Sequence, residues 1–177
     1  MSDAVVRNQL LAVLHGGNAH LTFAEAVAGF PMDQINEPYP NCRYSPWGLL
    51  EHIRLTQADI LDFMRNPDYQ EKRWPDDSWP APGTTATAED WRATLDGFAA
   101  DAEAVEALVL DPATDLYAEL PWGNGQNILR EVLIIADHNS HHLGEFAALR
   151  QVLGTWRNDR DEFDAAYKQR RSEPKLD

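Results

Sequence analysis

Cysteine is almost absent from this sequence, in which Cys42 stands alone. An intrachain disulfide is therefore impossible, and a chain without disulfides is typical of a reducing compartment. The segment from Met1 to Ala4 has neither the basic nor the apolar part of a secretory signal peptide. We therefore expect a cytoplasmic protein. A structural or incidental role is expected for Cys42, because no candidate general base lies nearby in the sequence.

Positive charge is also scarce. The chain has 15 Lys and Arg against 29 Asp and Glu, which gives a formal net charge of -14. A nucleic-acid-binding surface needs a basic patch to contact phosphates, and adsorption to an anionic membrane needs one too. No apolar run approaches the roughly 20 residues that cross a bilayer. These absences argue against nucleic acid and against membranes as partners. The partner that we expect, on separate grounds given below, is a small-molecule substrate.

The chain has enough apolar residues to build a core. Hydrophobic residues make up 44% of the 177 residues, which is ordinary for a globular protein. No internal repeat and no long linker divides the sequence. We expect a single domain over residues 1–171 and a mobile C-terminal tail over residues 172–177.

Apolar residues recur with helical spacing in several segments, and cap signals mark their ends. Ser45 followed by Pro46 is a strong helix start, Thr22 with Glu25 forms a capping-box pattern, and Thr87 and Asn127 are further candidate N-caps. The predicted helices cover residues 3–15, 22–30, 45–65, 88–110 and 127–153, with a surface helix over 161–170.

The connections between these helices define the expected architecture. Residues 67–82 form a long crossover that contains Trp74 and Trp79, and residues 115–126 suggest a short extended stretch or hairpin. Four main helices with one long crossover between the second and third predict an all-α four-helix bundle. Each apolar stripe would then face a common core.

Three histidines stand out against this pattern. His138 and His142 are four residues apart, so they lie about 40° apart on a helical wheel and close to the middle of an apolar stripe. His52 is equally central on its own predicted helix. Three imidazoles that converge on one point would form a metal site with open positions.

Alternatives remain at this point. His141 is three residues from His138 and has a spacing that also permits ligation, although a position on the helix flank near solvent is favoured. Core histidines are also commonly satisfied by hydrogen bonds alone. Asp59 lies two turns beyond His52 on the same face and is a candidate hydrogen-bond partner for a ligating imidazole if the bundle brings it near, with an unrelated role as the alternative. Glu145 is the other acid, one turn from the candidate site.

Two segments carry a resemblance to a known family. They are Ser45-Pro46-Trp47-Gly48-Leu49-Leu50-Glu51-His52-Ile53 and Asp137-His138-Asn139-Ser140-His141-His142-Leu143-Gly144-Glu145. In order and spacing the sequence resembles the DinB/YfiT-like family of metal-dependent four-helix proteins over roughly residues 10–153. The resemblance implies an up-down-down-up bundle, a metal site formed by His52, His138 and His142, and a homodimer.

Characterised members of that family include thiol S-transferases and a thiol-dependent isomerase that use low-molecular-weight thiols. The leading hypothesis from this resemblance is therefore a divalent-metal enzyme that activates a thiol, with zinc or nickel favoured and iron as another candidate. A metal-dependent hydrolase is the close alternative, and a non-enzymatic dimeric metal-binding or stress-related protein is another. No residue is assigned as the general base. For Trp47, Trp74, Trp79 and Trp122, packing in the core or at its rim is favoured over lining a pocket.

Overall fold

The computed structural model describes residues 3–38 and 40–156. Within these ranges the regular structure is helical, with five α-helices, one short 3-10 helix and no strand. The predicted helix over 161–170 and the predicted tail over 172–177 lie outside the described residues. The elements in chain order are α1 (Asp3–His15), α2 (Phe23–Val27), the 3-10 helix (Met32–Gln34), α3 (Pro46–Arg65), α4 (Ala88–Leu110) and α5 (Ile128–Val152).

Side-chain caps start four of these helices where the sequence predicted them. The hydroxyls of Thr22 and Thr87 accept from backbone N–H groups three residues on, and both complete a capping box. Ser45 Oγ accepts from the amide of Gly48, and Asn127 caps α5 in the same way. Each cap satisfies a backbone donor that would otherwise have no partner in the first turn, which explains why the predicted starts are confirmed.

The end of α2 differs from the prediction. The helix was expected to continue to Phe30 but ends at Val27. Gly29 follows with φ of 62°, a left-handed conformation that terminates helices and that glycine adopts without strain. The early end turns Phe30 inward, where it is 6% exposed and packs in the core.

Two core clusters establish the directions of the long helices. One cluster contains the beginnings of α3 and α4 together with the end of α5, and the other contains the ends of α3 and α4 together with the beginning of α5. Helices α3 and α4 are therefore parallel, and α5 runs opposite to both. The first cluster includes Leu50, Trp91 and Phe146, and the second includes Leu61, Val105 and Val132.

Helix α1 runs opposite to α4. Arg7, near the beginning of α1, donates to the carbonyl oxygens of Asp111 and Thr114 beyond the end of α4. His15, at the end of α1, lies beside Glu106, about one turn before the end of α4. Together with the directions of α3 and α5, this arrangement is the expected up-down-down-up bundle.

The crossover from α3 to α4 returns along the length of the bundle, as two parallel consecutive helices require. It is ordered by turns over residues 74–78 and by reciprocal hydrogen bonds between the Asn36 side chain and the Ala86 backbone. The crossover also places Ser78 and Trp79 against α3. It therefore supplies one wall of the site described below.

The connection between α4 and α5 contains only an isolated antiparallel bridge, between Glu119 and Asn127. Leu120 N–H donates to the Gln126 carbonyl at 2.8 Å. The bridge closes a loop over residues 120–126, so the hairpin that the sequence suggested is reduced to this single pairing, without strands. No helix among the described residues is both long enough and apolar enough to cross a bilayer.

Candidate metal centre

Helices α3 and α5 bring three histidines to one point. His52 Nε2 lies 3.2 Å from His142 Nε2 and 3.2 Å from His138 Nε2. One donor atom from each of the three residues lies within 4.8 Å of the others. His52 is 5% exposed, and the other two are half-buried. The residues that the sequence singled out are therefore neighbours in the folded chain.

The position of the pair on α5 corrects one expectation. The sequence placed His138 and His142 close to the middle of an apolar stripe that was expected to be buried. Two apolar residues on the same face of the helical wheel, Ile134 and Val152, are 38% and 61% exposed. The buried stripe passes instead through residues such as Asn139. The two histidines lie at the edge of this stripe. The reason is that α5 packs mainly against two separate helices, α1 and α3, whose positions determine which of its residues are buried.

Hydrogen bonds at the Nδ1 atoms determine which ring nitrogens are free. His52 Nδ1 lies 2.6 Å from the Ser78 carbonyl oxygen, and His142 Nδ1 lies 2.5 Å from Glu145 Oε2. A carbonyl oxygen and a carboxylate only accept, so both Nδ1 atoms carry the proton. In the neutral rings, both Nε2 atoms therefore present a lone pair to the same point.

Two lone pairs that face each other at 3.2 Å repel each other unless a proton or a metal ion lies between them. A proton is disfavoured because burial lowers the pKa of His52 and lowers the pKa of His138 to about 4, with repulsion from neighbouring histidines adding to the effect. A metal ion fits better. Two nitrogens bound at 2.0–2.1 Å to one tetrahedral ion lie roughly 3.4 Å apart, close to the observed separation.

His138 differs from the other two ligand candidates in its surroundings. Its Nδ1 atom is buried and has no hydrogen-bond partner among the described residues. Its Nε2 atom is directed at His52. Burial and repulsion from His142 and His52 outweigh the stabilising effect of Asn139 on the protonated ring, so His138 remains neutral at neutral pH.

The three histidines lie in the wall of a cavity of about 460 Å³. Trp79 stacks on the His52 ring with centroids 3.8 Å apart and planes 7° apart, and Tyr44 stacks on Trp79 at 5.0 Å. A metal ion on the three Nε2 atoms would therefore be reachable from the cavity. The lining consists of His52, Thr56, Asp59, Tyr69, Glu71, Lys72, Trp74, Ser78, Trp79, His138 and His142.

Comparison with known proteins places the chain in a family. The model of the DinB superfamily matches residues 6–146. The chain belongs to the DinB superfamily. The matched region runs from α1 into α5 and includes all three histidines. No curated protein and no solved structure gives a significant match to the chain.

The superfamily assignment and the histidine cluster together fit a metal-binding DinB-superfamily protein. Three neutral imidazoles would leave the charge of a divalent ion uncompensated, and the Glu145 carboxylate contacts the cluster only through His142 Nδ1. The arrangement can therefore polarise a bound water or thiol.

His141 of the DinB-superfamily chain does not join the cluster. Its side chain is 66% exposed, and its Nε2 atom lies 3.6 Å from Glu145 Oε1. It forms a second, more exposed group with His142 and Glu145. The expectation that His141 lies on the helix flank near solvent is confirmed.

The remaining candidates are distributed between the cavity and the core. Asp59 lines the cavity but accepts from Tyr69 and is not bonded to an imidazole. Trp47 and Trp122 are structural, since their indole N–H groups donate to Thr94 and to the Phe63 carbonyl. Trp79 packs against the core, as was favoured, and also lines the cavity. Trp74 is 79% exposed and lines the cavity, so the favoured packing role was wrong for Trp74.

Ser78 and Tyr69 are two residues of the site that the sequence did not indicate. Ser78 acts through its backbone carbonyl, and a carbonyl carries no residue-specific signal. Tyr69 lies in the crossover, whose path is not readable from hydrophobic periodicity. The length of the predicted crossover and its two tryptophans were the available hint that this segment contributes to a site.

Proposed function

We propose that His52, His138 and His142 hold one divalent transition-metal ion, zinc or nickel, with iron as a further candidate. We propose further that the protein is an enzyme that activates a low-molecular-weight thiol as its thiolate for transfer to an electrophile. The observation that carries the proposal is the convergence of three Nε2 atoms in the wall of an open cavity.

A divalent ion on three neutral imidazoles would lower the pKa of a thiol or water bound in an open position. The chain's own residues prepare that site. The Ser78 carbonyl and the Glu145 carboxylate hold the Nδ1 protons and so keep the Nε2 lone pairs of His52 and His142 available. Trp79 covers one face of the His52 ring and prevents it from turning away.

The cavity favours catalysis over a purely structural metal site. Structural zinc sites are closed by four protein ligands, whereas catalytic sites keep a position open. The histidine cluster offers three ligands, and the remaining space belongs to the cavity. Hydrolysis by a metal-bound hydroxide uses the same site and is the second activity to test, since the structure favours no leaving group.

A homodimer is part of the proposal. Leu133 and Ile134 are adjacent on the outer side of α5 and are 46% and 38% exposed. Exposed apolar side chains of this kind are common at subunit contacts. Light scattering coupled to size-exclusion chromatography should give twice the chain mass, and a monomeric mass at micromolar concentration would contradict this part of the proposal.

Elemental analysis of protein purified without added metal tests the ion. We expect about one transition-metal ion per chain in the wild-type protein and in His141→Ala, and a loss of most of it in His138→Ala. The two variants remove the same side chain from neighbouring positions of α5. Equal metal content in the two variants would contradict the assigned ligands.

The chemistry is tested by incubating the metal-loaded protein with a panel of thiols and monochlorobimane. Conjugation should require the metal and should be lost in His138→Ala. Metal-dependent cleavage of activated esters without thiol conjugation would favour a hydrolase. Absence of both reactions in a fully metal-loaded protein would favour a binding role.

A further inference from the structure

The cavity extends well beyond the three histidines. His52 and Asp59 both line it, and both belong to α3. They are seven residues apart, which places them about 10 Å apart along the helix axis on similar faces. A molecule that reacts at the histidines and fills the cavity therefore meets Asp59 with its other end.

Tyr69 fixes the carboxylate at this far end. The Tyr69 hydroxyl donates to Asp59 Oδ1 at 3.1 Å, and its ring packs edge-on against Phe63 with centroids 5.0 Å apart. Burial and the neighbouring carboxylate raise the pKa of Tyr69 to about 12, so the phenol keeps its proton. Only one carboxylate oxygen of Asp59 is engaged by this bond, and the other has no hydrogen-bond partner among the residues described.

The surrounding charges favour a cation. Glu71 adds a second carboxylate to this end of the cavity, and Lys72 adds one ammonium group. Burial raises the pKa of Asp59 overall, and the Tyr69 hydrogen bond and the charge of Lys72 offset part of this rise. Lys72 forms no ion pair within 4.0 Å in the described part of the chain. Trp74 also lines the cavity and is 79% exposed, so it leaves the cavity open to solvent.

We propose that Asp59, held by Tyr69 and flanked by Glu71, binds a primary ammonium group of the substrate. A charge-assisted hydrogen bond to the free oxygen of a fixed carboxylate is among the stronger polar contacts. This substrate class, an amine that carries its reactive group about two helical turns away, rests on the proposed function for the reacting end.

The ammonium site is tested without metal and without turnover. Isothermal titration of metal-free protein with hexylamine and with hexanol compares a cation with a neutral molecule of equal chain length. We expect hexylamine to bind about tenfold more tightly, the ratio that a charge-assisted hydrogen bond at a partly solvated site produces. In Asp59→Asn the ratio should fall to about two or less.

Matched variants separate the site from general electrostatics. Asp68→Asn removes one exposed charge near α3 that does not line the cavity, and it should leave the ratio unchanged. Lys72→Met is an exposed loop substitution that removes a like charge, so it should tighten hexylamine binding and leave hexanol unaffected. Equal binding of the two ligands, or equal effects of Asp59→Asn and Asp68→Asn, would overturn the proposal.

A turnover experiment distinguishes this inference from the proposed function. The metal-loaded protein is supplied with aminohexanethiol or mercaptohexanol and an electrophile. The aminothiol should have the lower KM by about tenfold, and Asp59→Asn should remove the difference with little change in kcat. Conjugation of both thiols with equal KM would refute the ammonium site alone. Selective hexylamine binding without any conjugation would refute only the transferase proposal.

Discussion

Glu145 is the residue whose chemistry most directly supports the candidate ligands. It accepts from His142 Nδ1 at 2.5 Å and also approaches the exposed His141 at 3.6 Å. An acceptor at Nδ1 fixes both the tautomer and the orientation of the ring and increases the basicity of Nε2. Glu145 is therefore a positioning residue, which orients the His142 ring and does not itself bind the ion.

Replacement of Glu145 by Gln should lower the metal affinity about 10-fold to 100-fold, because the amide is a weaker acceptor and is free to present its donor to the ring. Competition with a chromophoric chelator measures this affinity. Asp137→Asn is the matched control, since it removes an exposed charge beside His138. An effect of equal size in the control would mean that only the net charge of α5 matters.

The metal-free protein should lose stability in acid through its histidines. Burial, reinforced by repulsion from the other rings, lowers the pKa of His138 from 6.5 to about 4, and burial lowers the pKa of His52 as well. Between these pH values the unfolded chain binds a proton that the native chain does not bind. The free energy of unfolding should therefore fall as the pH drops through this window.

Urea unfolding of the metal-free protein at a series of pH values measures this slope. His138→Gln removes the imidazole whose pKa is lowered to about 4 and should flatten the profile between pH 6.5 and about 4. An unchanged slope in that variant would show that other groups cause the acid sensitivity. His15, on the surface near Glu106, supplies the control substitution His15→Gln.

Among the helices, α3 contributes to both ends of the cavity because it contains His52 and Asp59. Its first turn is held by Ser45, whose hydroxyl accepts from the Gly48 amide at 3.1 Å, and by Pro46 in the first helical position. These are local signals, so the helix starts at a position that its own sequence specifies.

Substitution of Ser45 by Ala should lower the free energy of unfolding by about 1 kcal/mol, the usual cost of losing an N-cap. Urea denaturation gives the value. Thr85→Ala, in the exposed loop before α4, removes a hydroxyl that caps no helix and should change stability little. If both variants unfold at the same urea concentration, the Ser45 hydrogen bond contributes nothing net.

A buried polar chain aligns the three long helices beside the site. Gln57 of α3 donates to the Phe98 carbonyl of α4 at 2.9 Å, and Asn139 of α5 donates to Gln57 Oε1 at 2.9 Å. Asn139 is the immediate neighbour of His138. Because buried donors and acceptors are costly to separate, these bonds disfavour a shift of α5 along α3 that would part the histidines.

At the scale of the molecule, Arg7 closes the bundle. Its guanidinium donates to the Val109 carbonyl, to the Asp111 carbonyl at 3.0 Å and to the Thr114 carbonyl at 2.6 Å, while Asp3 accepts from Nε at 2.7 Å. The contacts join α1 to the end of α4, which are more than one hundred residues apart in the chain. Carbonyl groups at and just beyond the end of α4 thus obtain a hydrogen-bond donor from the beginning of α1.

Arg7→Met should destabilise the protein by about 3 kcal/mol, because it leaves buried and half-buried carbonyl oxygens without donors. Thermal and urea unfolding both measure the loss. Arg7→Lys should recover only part of it, since an ammonium group cannot present the planar fork of donors. Full recovery by Lys would show that charge, and not geometry, holds α1 in place.

The sequence by itself determined the helices, their capped starts and the identity of the three histidines. These features depend on residues that are close together in the chain, such as the capping hydroxyls of Ser45 and Thr87 and the four-residue spacing of His138 and His142. Such short-range patterns can be recognised from the sequence alone. The centre of the buried stripe on α5 was placed wrongly, because a helical wheel contains no information about which neighbours cover which side.

Only the tertiary structure decided how the histidines meet and what surrounds them. The approach of His52 to His142, the Ser78 carbonyl behind His52 and the cavity reaching Asp59 all depend on the packing of α3 against α5 and on the path of the crossover. Such contacts join residues distant in the chain, and their geometry follows from side-chain packing across the whole bundle. No periodicity within a single segment encodes them.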